Sequence, residues 1–353
     1  MRGPLEVVEA IKKELAHRGI DATIRSYRRC VRGAIALIWD VFRSTSSVTY
    51  VRFNWALGVP LALGAVWQRV RGRFVIVHVP TPIRATLRQT SRETGRAVLV
   101  LKRLLGTVPY RAAVSASCLV IQNGRDDWRD SARVARKTLL LPNPSTARTT
   151  VPHQGSRRKS GDRFEIVGVA TTDQYHRYDR FLAGFDGIDT ALAVDGQVRI
   201  TLVGPRQAFV RERRFVDALL LKSVEVVFTG ELMGADLDEQ VSRASIGLGT
   251  LGSGTGQGLI AASPLKHRLF MRHGVPLVTD TTELAAPQDG AIWIYRVPAT
   301  GEPIDINEVL AWRLGLDLDR ARREMDTALQ EAHVATYVDR ILERLPSASQ
   351  RSD

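Results

Sequence analysis

The sequence is poor in cysteine, with only Cys30 and Cys118 among its 353 residues. Two cysteines do not form the disulfide framework that stabilises small secreted domains, so the composition is typical of a reducing compartment. The N-terminus also lacks the long apolar core of a signal peptide. We therefore expect a cytoplasmic protein.

Long apolar runs are absent too, because no segment approaches the ~20 residues that a membrane-spanning helix needs. The longest apolar stretch, residues 55–67, is interrupted by Gly58, Pro60 and Gly64. We interpret this stretch as a buried helix, and the alternative is a helix that dips one face into a membrane. The apolar fraction of 44% indicates a soluble globular chain.

Negative charge is scarce in the first half of the chain. Residues 1–150 contain 26 basic and 9 acidic residues, a net charge of +17, whereas residues 151–353 contain 24 basic and 28 acidic residues, a net charge of −4. A change of sign at this point predicts two domains with different partners. We place a basic N-terminal domain at 1–150, a polar linker at 151–163, a second domain at 164–335 and a terminal helix and tail at 336–353.

The basic half is predicted to face an anionic partner. Nucleic acid, an anionic membrane surface and a pyrophosphate-linked acceptor are the candidates, and a compositional bias toward arginine is the alternative. The sequence contains no zinc-finger spacing and no RNA-binding aromatic motif, so we predict no nucleic-acid partner. A membrane surface attracts roughly 1 kcal/mol per nearby basic residue, which favours that candidate. The protein would then be peripheral at the inner membrane face.

Apolar strands alternate with amphipathic helices throughout the chain. Phe74–Val79 is continuously apolar, as in a strand buried on both faces of a parallel sheet. Further strands are predicted at 22–25, 48–52, 117–121, 138–141, 164–169, 198–203, 224–228, 244–248 and 275–279. Helices are predicted at 6–17, 83–103, 178–185, 237–242 and 320–345, and an Asn-Gly turn at 123–124. This alternation predicts an α/β protein with two doubly wound parallel sheets.

A glycine-rich loop, residues 247–258, precedes the run Ser263-Pro264-Leu265-Lys266 at the start of a predicted helix. The N–H groups and dipole of a helix N-terminus attract phosphate, and Lys266 adds a full charge. The alternative is a solvated helix lysine. Residues 247–252 also satisfy G-x-G-x-x-G, which keeps a dinucleotide-dependent enzyme open as an alternative, although the acid at Asp280 comes about 28 residues later instead of the usual ~20.

Residues 263–276 resemble the Ser-Pro-Leu-Lys signature of GT-B glycosyltransferases of the family-4 type (glycosyl transferases group 1). Gly168-Val169-Ala170 and Tyr175–Arg180 resemble the family's strand followed by Trp-His-Gly-Tyr-Asp-Arg. The resemblance implies a GT-B architecture, with two Rossmann-like domains facing a central cleft and a C-terminal helix closing the chain. Since the family normally opens with a strand and a glycine loop, the first strand is apparently missing here.

The resemblance also implies roles for individual residues. The donor diphosphate is expected to contact Lys266, Ser263, His176 and Arg177. The donor nucleotide is expected near Gly230, Glu231, Gly252 and Gly254. His78 is the expected catalytic residue at the donor sugar, or else a hydrogen-bonded rim residue, and Arg52 is expected to face the cleft and acceptor. The nucleotide-diphosphate sugar is a substrate, so no cofactor is implied, and no metal.

Three positions depart from the family pattern. The two glutamates of its E-x7-E spacing are matched by Ala261 and Leu269, and an arginine of the first strand of this half is matched by Ala170. Three hypotheses therefore stand. The first is a retaining, hexosyltransferase-like enzyme that moves a sugar from a nucleotide donor to a carbohydrate or lipid-linked acceptor. The second is a catalytically impaired GT-B protein that binds glycan or partners a transferase. The third is another nucleotide-sugar or dinucleotide-dependent α/β enzyme.

Overall fold

The computed structural model describes residues 3–20, 31–53, 58–82, 85, 107–126, 132–150, 163–171, 176–187, 198–252, 258–287 and 290–345. The chain divides into two compact units. The N-terminal unit comprises residues 5–142, 257–260 and 334–353, and the C-terminal unit comprises residues 1–4, 143–256 and 261–333. The domain boundaries inferred from composition, at 150, 163 and 335, remain predictions.

The N-terminal unit is built on a four-stranded parallel sheet. The strands of this sheet, in the order β1-β2-β3-β5, are β1 (Val48–Arg52), β2 (Phe74–Val79), β3 (Leu119–Gln122) and β5 (Thr138–Leu140). A further short strand, β4 (Gly124–Asp126), lies outside this sheet. Its helices are α1 (Gly3–His17), α2 (Val31–Arg43), α3 (Gly58–Val70), residues 107–116, Ala132–Arg136 and, from the end of the chain, Val334–Leu342. The described strands and helices alternate as the apolar pattern predicts.

The C-terminal unit is built on a six-stranded parallel sheet. Its strands are β6 (Phe164–Val169), β7 (Val198–Val203), β8 (Val224–Gly230), β9 (Ile246–Leu248), β11 (Leu277–Thr279) and β13 (Ile294–Arg296), in the order β13-β11-β9-β6-β7-β8. The short strands β10 (Leu259–Ala262) and β12 (Thr282–Glu283) pair with each other in parallel. The helices include Tyr178–Ala183, Val216–Leu220, Ala235–Ser242, Leu265–Arg272, Ile306–Leu314 and Leu318–Glu331.

Each sheet has an apolar core on both faces, which explains why its strands are continuous apolar runs. Along β2, Val75, Val77 and Val79 contact one core while Ile76 contacts the other, because successive side chains point to opposite faces. The second core also contains Tyr337 of the C-terminal helix. In the C-terminal unit, alternate residues of β6 are divided between two cores in the same way.

Several predicted elements differ from the structure. The predicted Asn-Gly turn is a single bend residue, Asn123, and Gly124 already begins β4. The predicted 320–345 helix is two helices, because the residues between them pair with another segment of the chain. Ser145 N donates to Ala332 O at 2.7 Å, and Ser145 forms an isolated parallel β-bridge with His333. The predicted strand at 22–25 and linker residues 151–162 lie outside the described residues, as does almost all of the predicted 83–103 helix.

Helix α3 is buried on one face only, so the prediction of a buried helix at 55–67 is half correct. Leu61, Ala62 and Ala65 contact the core of the N-terminal unit, whereas Leu63 and Val70 are 51% and 75% exposed. Across the described part of the chain, no helix has the length and apolar character needed to traverse a membrane.

Gly184 marks a tight packing point in the C-terminal unit, and its replacement tests the fold. A Cβ at this position would lie 1.9 Å from the backbone oxygen of Ile304 and 2.8 Å from the side chain of Ile306. We expect Gly184→Ala to destabilise the protein by about 1–3 kcal/mol or more in urea titrations, because backbone must move. Gly301→Ala is the control, since nothing lies within 4 Å of its added Cβ. Equal midpoints for the two variants would contradict this packing.

Candidate functional site

The carboxyl ends of the parallel strands in the C-terminal unit meet at one edge of the sheet, where open α/β sheets bind ligands. The ends of β6, β7 and β8 are hydrogen-bonded in sequence, with Ala170 N to Val203 O at 2.9 Å and Gly204 N to Gly230 O at 2.8 Å. Gly204 has φ of 150°, and a Cβ there would lie 2.2 Å from Ala170 O. Glycine is therefore required for this close approach of the strand ends.

Lys266 reaches this edge from the first turn of the helix Leu265–Arg272. Its Nζ lies 2.9 Å from the backbone oxygen of Gly249, the residue after β9, and 3.3 Å from that of Val169, the last residue of β6. The same Nζ lies 2.6 Å from His176 Nδ1 and 3.1 Å from Tyr178 Oη. An ammonium carries three N–H groups, so these four neighbouring atoms are enough to satisfy all of them and to fix its position. The structure thus brings together Lys266 and His176, two of the residues predicted to contact the diphosphate.

Tyr178 completes this cluster, and its role was not predicted. Its hydroxyl lies 2.8 Å from Val169 O and 3.0 Å from Leu248 O, and its ring is fully buried. Burial, with a smaller contribution from Glu212, raises the pKa of Tyr178 well above its usual value, so the phenol stays neutral. A Cβ at Gly168 would lie 2.7 Å from the Tyr178 ring. The glycine of β6 is therefore the position that makes room for this tyrosine.

His176 is a neutral imidazole in this arrangement. Burial lowers its pKa well below the usual value, and the charge of Lys266 lowers it further. The Lys266 ammonium lies 2.6 Å from Nδ1, and Thr171 N donates to Nε2 at 3.3 Å, so both ring nitrogens face a donor. A neutral imidazole has only one acceptor nitrogen, so it can accept fully from just one of the two. His176 is therefore a neutral acceptor beside the Lys266 ammonium.

Arg177 occupies a left-handed backbone conformation, with φ of 44° and ψ of 42°, directly before the helix Tyr178–Ala183. Few non-glycine residues adopt this conformation, and it sharply redirects the chain between β6 and the helix. The guanidinium donates to Asp179 Oδ1 at 2.9 Å. Asp179 N in turn donates to Glu212 Oε1 at 3.2 Å. Arg177 is thus an ion-pair partner of Asp179, and its contact with a diphosphate remains a prediction.

Ser263 lies inside a buried polar network and is 1% exposed. Its Oγ accepts from Asn143 N at 3.1 Å and also from the Arg268 guanidinium. Arg268 forms a salt bridge with Glu283, whose other oxygen lies 2.8 Å from His267 Nδ1. Burial alone would raise the pKa of Glu283, but Arg268 and His267 outweigh it and lower that pKa to about 2. The predicted contact of Ser263 with phosphate remains a prediction.

This network was missed from the sequence, although one signal pointed to it. His267 and Arg268 are consecutive basic residues next to Lys266 on one short helix, and at most part of that basic run can face solvent. Buried charged side chains need a partner, so an acid from another element was to be expected. Glu283 provides it from β12, which pairs with β10 just before the Lys266 helix.

The predicted nucleotide-binding positions lie at or near the same edge. Gly230 ends β8 with φ of 78°, and the neighbouring Glu231 is exposed. Gly252 is buried and follows Leu251, whose backbone N donates to His176 O at 3.1 Å. This bond ties the glycine loop to the His176 turn. Gly254 lies outside the described residues.

The departures from the family pattern are apolar in the structure as well. Ala170 and Ala261 are buried, and Leu269 packs against the core. The first described element after the glycine run is the strand β10, whereas a dinucleotide-binding loop opens directly into a helix. The predicted order of glycine loop then helix therefore needs correction, and the dinucleotide alternative loses its main support.

His78, in the N-terminal unit, is held by a separate hydrogen-bond chain. Asn123 Nδ2 donates to Leu141 O at 2.9 Å, so Asn123 Oδ1 is an acceptor and His78 Nε2 donates to it. His78 Nδ1 therefore accepts from Tyr50 Oη at 2.6 Å. Burial, with a contribution from Arg52, lowers the pKa of His78 to about 3. The structure thus places Arg52 opposite a neutral His78 in the β1–β2 register, with both His78 nitrogens occupied.

No known protein-family profile matches the chain, and no curated protein matches its sequence. Solved structures do match. HepE of Anabaena, in complex with UDP and glucose, is 15% identical, with a TM-score of 0.57 over 95% of this chain and 89% of its own. An α,α-trehalose-phosphate synthase (UDP-forming) from Burkholderia xenovorans is 14% identical, with a TM-score of 0.55 over 88% of this chain and 76% of its own.

These structures share the GT-B glycosyltransferase fold, and this chain has it too. Both units, each with its parallel sheet and flanking helices, are included in the similarity because it covers nearly the whole chain. At 15% identity the similarity establishes the fold, and the activity must be argued from the site.

Proposed function

We propose that this protein is a retaining glycosyltransferase of the family-4 type, which moves a sugar from a nucleotide-sugar donor to a carbohydrate or lipid-linked acceptor. The observation that carries the proposal is the position of Lys266. Its ammonium lies where β6 and β9 end, beside the neutral His176. A cation at this strand edge, next to a helix N-terminus that has no side-chain cap, fits a leaving diphosphate, whose developing charge such groups stabilise.

We take the remaining roles from the family resemblance. The uncapped N-terminus of the Lys266 helix donates to phosphate oxygens beside His176, and Lys266 exchanges its longest contact, Val169 O, for one of them. Ser263 and Arg177 support this end of the site. Gly230, Glu231 and the glycines 252 and 254 face the nucleotide. His78 acts at the donor sugar and Arg52 on the acceptor side. The nucleotide sugar is a substrate, so the enzyme needs no resident cofactor or metal.

Calorimetric titration with UDP, GDP and ADP tests the donor site, with uridine as the control that lacks phosphate. We expect micromolar binding of UDP, the nucleotide bound by HepE, and far weaker binding of uridine. Turnover with UDP-sugars and NMR of the anomeric proton in the product then test the reaction. Failure of all three nucleotides to bind would overturn the donor site. An inverted product would overturn retention, and an isomerised free nucleotide sugar would point to an epimerase.

A catalytically impaired GT-B protein is the second candidate, and one observation favours it. Apolar side chains occupy Ala261 and Leu269, the positions of the family's two glutamates. A hydrogen bond to a charged group contributes about 1.5–3 kcal/mol. Losing two such bonds weakens the binding of the donor or of the transition state roughly 10²–10⁴-fold. Such a protein would bind glycan or partner an active transferase. Tight UDP binding without turnover of any UDP-sugar would favour this candidate.

The cellular setting follows from the charge distribution. Residues 1–150 carry a net charge of +17, which suits a cytoplasmic enzyme held at the anionic inner face of a membrane. Lipid-linked acceptors lie at such a surface. We therefore place the reaction in polysaccharide or glycoconjugate biosynthesis, with the basic N-terminal half toward the membrane.

A further inference from the structure

Helix α3 exposes an apolar stripe that none of the described residues of its own unit covers. Val59, Leu63, Val66 and Val70 recur at spacings of four, three and four residues, which places them on one side of the helix, and all four are exposed. The opposite side already packs in the core of the N-terminal unit. A helix that is apolar all round is normally buried, so the outer stripe calls for a partner.

The stripe continues onto helix α2. Trp67 of α3 stacks on Phe42 of α2, with ring centroids 4.8 Å apart. The helices are in close contact, since a Cβ on Gly64 would lie 2.7 Å from Val41. One turn from Phe42, the α2 residue Trp39 is 57% exposed. The exposed apolar residues of the two helices form a surface that we name the α2–α3 face: Ile35, Trp39, Val59, Leu63, Val66, Trp67 and Val70.

Arginines lie beside both tryptophans of this apolar surface. Arg43 lies over the Trp39 ring at 4.1 Å, and Arg71 lies near the Trp67 ring at 5.8 Å. Over the two helices and the turn that follows α3, the charged residues are five arginines and one aspartate: Arg32, Arg43, Arg69, Arg71, Arg73 and Asp40. The surface thus combines an apolar centre, two tryptophans and a net positive rim.

We infer that the α2–α3 face docks on the surface of an anionic membrane. Tryptophan and arginine favour the headgroup region, where an apolar ring and a polar edge are both satisfied, and aliphatic side chains insert just below it. Each basic residue near an anionic surface adds roughly 1 kcal/mol. A second copy of the chain fits less well, because its identical face would bring like charges together. This inference stands independently of the donor site.

Vesicle co-sedimentation tests it, with phosphatidylglycerol mixed into phosphatidylcholine and with phosphatidylcholine alone. We expect the protein to bind the anionic vesicles at low salt and to be released as salt rises, because screening weakens the electrostatic attraction. Brominated lipid should quench part of its tryptophan fluorescence. Equal binding to anionic and neutral vesicles at all salt concentrations would overturn the role of the arginines. No binding to either kind of vesicle would overturn the role of the whole face.

The double variant Leu63→Ser/Val70→Ser tests the apolar centre. We expect the affinity for anionic vesicles to fall roughly tenfold or more, because burying one leucine or valine side chain accounts for about that factor in affinity. Leu220→Ser/Leu221→Ser is the matched control, since these exposed leucines lie in the C-terminal unit. Unchanged binding of the first variant would refute the inference. A parent dimer that the same variant converts to monomer would assign the face to a second copy. The Lys266→Ala variant should bind vesicles like the parent, because Lys266 belongs to the proposed donor site and not to the α2–α3 face. Vesicle binding therefore tests the face alone, and nucleotide binding tests the donor site alone.

Discussion

Replacing Lys266 by methionine is expected to weaken UDP binding roughly 10- to 150-fold while leaving uridine binding nearly unchanged. A charge-assisted hydrogen bond contributes about 1.5–3 kcal/mol, and only the diphosphate can accept one from this ammonium. Methionine retains an unbranched stem, so the variant removes the charge with little change in packing. Calorimetric titration of parent and variant with both ligands measures the effect.

The competing explanation is structural, because Lys266 also joins the ends of two strands through Val169 O and Gly249 O. Lys222→Met is the matched control, since Lys222 Nζ likewise lies 3.0 Å from each of two backbone oxygens, those of Phe185 and Asp186. Both variants should lose a similar, small amount of thermal stability. Only the Lys266 variant should lose affinity for UDP, and equal affinities in the two variants would remove Lys266 from the site.

The pairing of Lys266 with His176 could be predicted, although the two residues are 90 positions apart. His176 follows the predicted strand at 164–169, Lys266 follows the predicted strand at 244–248 after the glycine loop, and parallel strands end at a common edge. Tyr178 was within the recognised motif, but its contact with the lysine depends on the space left by Gly168. Local patterns do not reveal such packing, because it depends on the distance between two elements.

The fold was predictable where burial imposes a pattern on the sequence. Strands such as β2 and β6 are buried on both faces and were located to within about a residue. The short strands β10 and β12 were missed, because two to four residues carry no readable period and only pairing with neighbouring strands defines them. For residues 55–67 the sequence left two interpretations open, a buried helix and a helix with one face in a membrane, since apolar residues facing solvent look the same in sequence as those facing a core.

Glu283→Gln is expected to destabilise the protein by about 3–5 kcal/mol, because it leaves the buried Arg268 without its counter-charge. The side chain of Glu283 is fully buried, and glutamine has nearly the same shape, so the change isolates the charge. Urea titration measures the loss in free energy of unfolding, and thermal unfolding in a calorimeter checks it independently. Glu225→Gln is the control: Glu225 pairs with Arg163 at the surface, and its loss should stay within about 0.5 kcal/mol.

A double variant separates the pair from its surroundings. Arg268→Met/Glu283→Gln removes both charges, so it should recover part of the stability that Glu283→Gln loses. His267 keeps its contact with residue 283 in either protein and therefore does not create the difference. A double variant less stable than Glu283→Gln by the full cost of Arg268→Met alone would show that the two charges are not coupled.

Acid should remove the advantage of the parent over Glu283→Gln. The pKa of Glu283 is lowered to about 2 in the folded protein, so its stabilisation is complete above its ordinary pKa near 4.5 and is lost as pH falls toward 2. The pKa of His267 is lowered by burial, so stability also declines in both proteins as pH falls below about 6.5. Glu283 partly offsets the lowering of the His267 pKa, so the decline from His267 continues to lower pH in Glu283→Gln than in the parent. The gap between parent and variant should therefore hold or widen as pH falls to about 4.5, and close only below that. A gap that persists to pH 2 would mean that Glu283 holds Arg268 and His267 through its shape and hydrogen bonds, not its charge.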